Sequence, residues 1–138
     1  MTTQDTTMTT AEIVQAFLER LGVQDFEGIG ELFAEEIDWY VPGEKYLPWA
    51  GHRSKRAEVV EFFNHLESEC EPGGEVTLEK IIIDGDDAVV LGTFHRTFVK
   101  TGRSFDNPES MHLLVSEGKI VRMHLYEDTG MVRDAYVD

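Results

Sequence analysis

His124, Tyr126 and Asp128 occupy alternate positions of Gly118-Lys-Ile-Val-Arg-Met-His-Leu-Tyr-Glu-Asp128. A strand over this stretch projects an imidazole, a phenol and a carboxylate from one face, with i and i+2 roughly 7 Å apart. Such a row can take a proton from carbon and steady the charge left behind. If it faces a cavity, Asp128 is the general base, its pKa raised by Trp and Phe neighbours. His124 shares its parity and is placed to hydrogen-bond the oxygen where negative charge develops, and Tyr126 to donate its phenolic proton. His112 joins them if the preceding strand pairs in the right register. The alternative is that the row faces water, since Val121, Met123 and Leu125 of the opposite parity already give the strand an apolar side to pack. Asp128 would then be a strand end or a helix cap ahead of Thr129-Gly130.

Aromatic residues supply candidate walls. Trp39, Tyr40, Tyr46 and Trp49 bracket the Pro42–Pro48 loop, a density of rigid rings that suits a flat, partly aromatic substrate. Trp39 and Tyr40 have opposite parity, so one of them faces inward; both are kept as candidate substrate contacts with Trp49, Phe17, Phe63 and Phe94. Asp38, Glu44 and Glu109 read as solvated carboxylates near the rim. No metal is expected: His112, His124 and Asp128 would make two His and a carboxylate, but no ligand spacing such as His-Glu-x-x-His occurs. Glycine-rich nucleotide motifs are absent as well, so the expected chemistry uses no cofactor.

The elements that must position these groups follow from periodicity. Thr9 and Glu12 form a capping box, and Ile13, Val14, Phe17, Leu18 and Leu21 recur at helical spacing, which predicts a helix over about 11–21. Asp25 caps a second, short helix with Phe26, Ile29, Leu32 and Phe33 inward. Ile37–Val41 is a brief strand leading into a loop up to His52. Ser54 caps a third helix with Val59, Phe63, Leu66 and Cys70 on one stripe, closed by Pro72-Gly73-Gly74. Strands follow over about 75–84, 87–100, 103–115 and 119–128, divided by turn sequences. Three helices and an antiparallel meander make an α+β fold in which a curled sheet wraps the helices and leaves a pocket at one end.

Composition bounds the rest. The 138 residues suit one domain over 11–138 behind a Thr-rich tail over 1–10 that carries neither a basic start nor an apolar run. With 12 Lys+Arg against 27 Asp+Glu, the formal charge of −15 disfavours nucleic acid and anionic membrane as partners. The lone Cys70 excludes an internal disulfide and a Cys-rich zinc site, which fits the cytoplasm.

Four pieces in order are similar to one superfamily: Asp25-Phe-Glu-Gly-Ile29, Leu32-Phe-Ala-Glu-Glu-Ile-Asp-Trp-Tyr-Val-Pro-Gly43, Leu47-Pro-Trp-Ala-Gly51, and Gly118-Lys-Ile-Val with His124-Leu-Tyr-Glu-Asp128. They resemble the nuclear transport factor two-like superfamily over residues 11–135, and within it the SnoaL-like branch related to ketosteroid isomerase. The resemblance implies a cone-shaped α+β barrel, three N-terminal helices packed in a strongly curved, mostly antiparallel sheet, and a homodimer joined through the sheets. It does not imply one activity, since members include isomerases, polyketide cyclases, epoxide hydrolases, dehydratases and binding domains. The isomerase branch's base, an Asp before the Pro after the first strand, falls here at Val41, and its oxyanion-stabilising Tyr falls at Phe17. In SnoaL-like cyclases an Asp four residues beyond an aromatic on the last strand is the acid/base, an interval that His124 to Asp128 matches with His in the aromatic's place; His112 is the counterpart of a pocket-lining His on the preceding strand.

The resulting expectation is a cofactor-independent acid/base enzyme of cyclase or isomerase type acting on a hydrophobic carbonyl compound. The alternatives are a non-catalytic small-molecule-binding or dimerisation module, and an epoxide hydrolase or dehydratase, the latter favoured if Arg96 or Arg122 touches Asp128.

Overall fold

In the computed structural model, which describes residues 7–138, helices α1 (Thr10–Gly22) and α2 (Phe26–Glu31) precede strand β1 (Phe33–Val41). The expected tail over 1–10 lies outside the described residues for its first six positions. Thr9 caps α1 through a reciprocal capping box with Glu12, and the Asp25 carboxylate accepts the Gly28 N–H at the start of α2. Strand β2 (Gly51–Lys55) pairs antiparallel with β1 where the sequence predicts only loop. Helix α3 (Arg56–Glu69) starts one residue later than a Ser54 cap would set it. The Glu58 side chain instead accepts the backbone N–H groups of Ser54 and Lys55.

Strands β3 (Glu75–Asp84), β4 (Asp87–Thr97), β5 (Ser104–Ser116) and β6 (Lys119–Glu127) form the expected meander. Sheet order is β2-β1-β6-β5-β4-β3, and the β1–β6 pair is parallel, all others antiparallel. Register shifts at Leu78/Lys80 and Leu114/Val115 bend the sheet so that one face becomes concave. The sheet stays open, and α1, α2 and α3 pack on the concave side.

The core is aromatic. Trp39 lies edge-on to Phe62 at 4.9 Å between centroids and to Phe63 at 6.1 Å, and Phe17 meets Phe63 at 6.4 Å. These contacts join β1, α3 and α1 into one packed body, burial of each ring contributing roughly 1.5–3 kcal/mol. A fourth helix, α4 (Thr129–Tyr136), follows β6, capped by Asp128 as in the helix-cap alternative. Its Tyr136 packs on Trp49 at 4.9 Å and Phe98 at 5.1 Å, closing one end of the cone. Among the described residues no helix is long and apolar enough to cross a membrane.

Candidate functional site

The concave face and the helices enclose a cavity of about 580 Å³. Trp39, Trp49, Phe17, Phe63 and Phe94 line it, as the sequence suggested; Tyr40 does not. Opposite parity decides the pair: Trp39 points in, while Tyr40 points out, its ring 4.4 Å from His52 and its hydroxyl donating to Glu44 at 2.9 Å.

Two glutamates stand at the polar end of this cavity. On β6 the inward row is Met123, Leu125 and Glu127, and on β5 it is Phe105, Asn107, Glu109 and Met111. Register pairs Glu109 directly with Glu127, so two carboxyls face each other across neighbouring strands, an arrangement that is destabilising when both are charged. Asn107 bridges them: its Nδ2 donates to Glu109 Oε2 at 2.8 Å and to Glu127 Oε2 at 3.2 Å. On the other side of Glu109 register places Gly92, where a Cβ would sit 2.9 Å from the Thr77 carbonyl oxygen. The close approach of β3 thus keeps that position without a side chain and leaves room beside the carboxyl.

Burial pushes the Glu109 carboxyl up to about 8, helped by the facing Glu127 and opposed by the Asn107 hydrogen bond. Burial likewise pushes Glu127 up to about 7, opposed by Asn107 and helped by neighbouring Asp128. Near neutral pH the pair therefore holds about one proton, giving one carboxylate that can accept and one carboxylic acid that can donate.

The structure turns the row His124, Tyr126 and Asp128 to the outer face of the sheet. His124 Nε2 lies 2.9 Å from Asp38 Oδ1, whose other oxygen is 3.4 Å from Arg122 Nε. The His124 hydrogen bond holds the Asp38 carboxyl below the usual range. His112 pairs directly with His124 across β5 and β6, as the register argument required, but on that same outer face, with Nε2 2.7 Å from Asp87 Oδ1. Tyr126 is 59% exposed. Asp128 is exposed and caps α4, accepting the Met131 N–H at 3.1 Å. None of the four lines the cavity. The physical reason is that Val121, Met123 and Leu125 mark the packed side, and Glu127 continues their parity. His112, His124 and Asp128 each bind elsewhere, and among the described residues no three His, Cys, Asp or Glu converge for a metal ion. Arg96 pairs with Glu67 at 2.9 Å and Arg122 with Asp38, so neither meets the condition set for a hydrolase based on Asp128.

The profile of the SnoaL-like domain family matches residues 14–123. The chain belongs to that family. No curated protein matches it in sequence. Solved structures with the same fold include an NTF2-like protein of unknown function from Burkholderia pseudomallei, 22% identical with a TM-score of 0.83, covering 94% of this chain and 98% of that one. A second NTF2-like protein, from Burkholderia thailandensis, is 26% identical with a TM-score of 0.83, covering 93% and 97%. TerC, co-crystallised with polyporic acid, is 24% identical with a TM-score of 0.80, covering 94% and 98%. This SnoaL-like chain therefore has the scaffold its resemblance implied, on which isomerase and cyclase chemistry is a fitting class.

Within this SnoaL-like scaffold the isomerase-type base position, Val41, is an apolar part of the cavity wall, as is Phe17. Glu109, read from sequence as a solvated rim carboxylate, is instead part of the cavity's polar end. The signal that finds it is a polar residue interrupting an otherwise apolar alternation: Phe105-x-Asn107-x-Glu109-x-Met111-x-Leu113 on β5, and Met123-x-Leu125-x-Glu127 on β6.

Proposed function

We propose that the protein catalyses proton transfer at a carbon next to a carbonyl in a hydrophobic compound, with Glu127 as general base and Glu109 as general acid. The observation that carries this reading is the pair of facing glutamates, joined by Asn107, at the end of an aromatic cavity. The Glu127 carboxylate removes the carbon-bound proton, the electron pair forms the enol double bond, and Glu109 gives its proton to the carbonyl oxygen. Return of the Glu127 proton to a different carbon, with the enol O–H giving its proton back to Glu109, is isomerisation. Attack of the enol carbon on a second carbonyl of the same molecule, with Glu127 protonating the new alkoxide and the enol O–H giving its proton back to Glu109, is aldol-type cyclisation. Asn107 keeps both carboxyls aimed at one place, and the aromatic walls exclude water that would lower their pKa values. TerC, whose structure was solved with polyporic acid, supports a small organic compound as the occupant of this fold.

Deuterium incorporation into a hydrophobic ketone such as 2-tetralone, followed by proton NMR, tests the reading. Catalysed exchange should fall by roughly 10²–10⁴-fold in Glu127→Gln, the range general-base catalysis contributes. Unchanged exchange in that variant would remove Glu127 from the role. The proposal also keeps a homodimer through the sheets: Ile82 and Tyr126, exposed on the outer face, belong to the surface a second copy would cover, and sedimentation equilibrium reads it directly.

A further inference from the structure

Among the described residues lining the cavity, Arg96 is the one cation, and its terminal nitrogens are engaged: Nη1 lies 2.9 Å from Glu67 Oε2 and Nη2 donates to the Glu71 carbonyl oxygen at 3.3 Å, while Nε is buried without a partner. Register pairs Arg96 with Phe105 and Gly92 with Glu109, so Arg96 sits four residues along β4 from the carboxyl pair, roughly 13 Å at the strand rise. No described cation contacts Glu109 or Glu127; their shared partner is Asn107 Nδ2. Asn107 is 3% exposed, and its carbonyl oxygen is buried without a hydrogen-bond partner. With both carboxyls ionised, the polar end of the cavity presents two carboxylates and an amide oxygen, all acceptors, and the Asn107 Nδ2 donor is taken. Unpaired buried acceptors and uncompensated buried carboxylates are both unfavourable, and a ligand that brings N–H donors and a positive charge relieves them together. The rings of Trp39, Phe62, Phe63 and Phe94 line the rest of the cavity and cover an apolar body.

We propose that this cavity binds hydrophobic compounds carrying a protonated amine, with the ammonium group seated against Glu109, Glu127 and the Asn107 carbonyl oxygen. The inference goes beyond the proton-transfer reading and needs only the carboxyl pair and the cavity. An amine of this kind competes with a carbonyl compound for the same two carboxyls. Binding is linked to pH because the ammonium favours the ionised carboxyls. Burial is the first cause of their raised titration; the Glu127 charge adds to it at Glu109, the Asp128 charge adds to it at Glu127, and Asn107 from β5 opposes it at both, while the other charged groups facing the cavity are Arg96 from β4 and Glu67 from α3, and α1 contributes the uncharged Phe17, Leu21 and Gly22.

Calorimetry with 1-naphthylmethylamine and its neutral isostere 1-naphthalenemethanol tests this. At about pH 8.5 the amine should bind at least about tenfold tighter than the alcohol, and the preference should shrink toward about pH 6 as the carboxyls take up protons. At the lower pH, amine binding should release protons, seen as a heat that varies with the ionisation enthalpy of the buffer. A Glu109→Gln, Glu127→Gln double variant should lose the preference while still binding the alcohol. Equal binding of amine and alcohol at the higher pH, or a preference that survives in the double variant, overturns the proposal by placing the ammonium on the acidic surface. Should the double variant fail to fold, the proton release decides in the native protein, and its absence overturns the proposal. Ketone exchange without amine preference would leave the proposed reaction standing and remove this inference; amine preference without exchange would do the reverse.

Discussion

Strands β5 and β6 carry two rows of ionisable groups on one backbone, and the two rows behave oppositely. On the outer face His112 hydrogen-bonds Asp87 and His124 hydrogen-bonds Asp38, in reach of water. Each histidine there meets a carboxylate acceptor, so the pairs are self-consistent and worth little, about 0–1 kcal/mol each. On the inner face Glu109 meets Glu127, a residue of the same sign, in a cavity walled by aromatic rings. That contact is unfavourable when both are charged; burial pushes both carboxyls toward neutrality, and the Glu127 charge adds to the shift at Glu109. The proposed chemistry is placed where the fold tolerates an unfavourable arrangement, whereas the row that looks richer in catalytic residue types is a satisfied surface.

The largest effect that would break this contrast is on turnover. Glu127→Gln should lower ketone exchange by about 10³-fold, within the range for loss of a general base, while Asp128→Asn one residue away should change it by less than about twofold. Exchange assays of the two variants side by side read the difference. A reversed result would move the chemistry to the outer face.

Next in size is the effect of pH. Activity should rise as the pair loses its first proton through about 7 and fall as it loses the second through about 8, a narrow bell in the rate profile. The same shifts bear on stability. Both folded-state values lie above the ordinary carboxylate value of 4.5, so the native state holds its protons more tightly than the unfolded chain does. The stabilising contribution is therefore complete below the ordinary value and is lost as pH rises through about 7 and about 8. Glu109→Gln should raise the melting temperature relative to the native protein at about pH 9 by several degrees, roughly 3–6 °C per kcal/mol for a chain of this size. At about pH 5, where Glu109 is protonated in the native protein, the variant and the native protein should melt nearly together.

Smallest is the effect on the outer row. Asp38→Asn removes the partner of His124 and Arg122 and should cost about 1 kcal/mol or less by urea denaturation, with exchange activity unchanged. A loss of activity here would couple the outer pairs to the cavity and blur the two-face distinction.

Most of the fold was legible because its signals are local. The Thr9–Glu12 box, the Asp25 cap, the Pro72-Gly73-Gly74 stop and the alternation of the last four strands each specify an element within a few residues. Helix α4 is legible only as the helix-cap alternative for Asp128, because the Asp128 cap together with Tyr136 docking on Trp49 and Phe98 makes these eight residues helical. Strand β2 was missed because Gly51-His-Arg-Ser-Lys55 has no apolar alternation; pairing with β1 alone makes it a strand. The aromatic walls were largely found, because Trp39, Trp49 and Phe63 lie on apolar stripes. The carboxyls are less legible, because Glu109 reads as a solvated rim residue and Glu127 as a single polar interruption in the apolar row of β6, beside a polar row with more catalytic residue types. Which Glu meets which Asn depends on register between strands, which residue order within one strand does not encode.

Carboxyl carbon-13 NMR of Glu-labelled protein between about pH 4 and pH 10, assigned with Glu109→Gln and Glu127→Gln, measures the protons of the pair directly. The account predicts two carboxyls that keep their protons well above the ordinary range and release them near about 7 and about 8, each shifting when the other is replaced. Two carboxyls that titrate together near the ordinary value of 4.5, indifferent to each other's replacement, would contradict it.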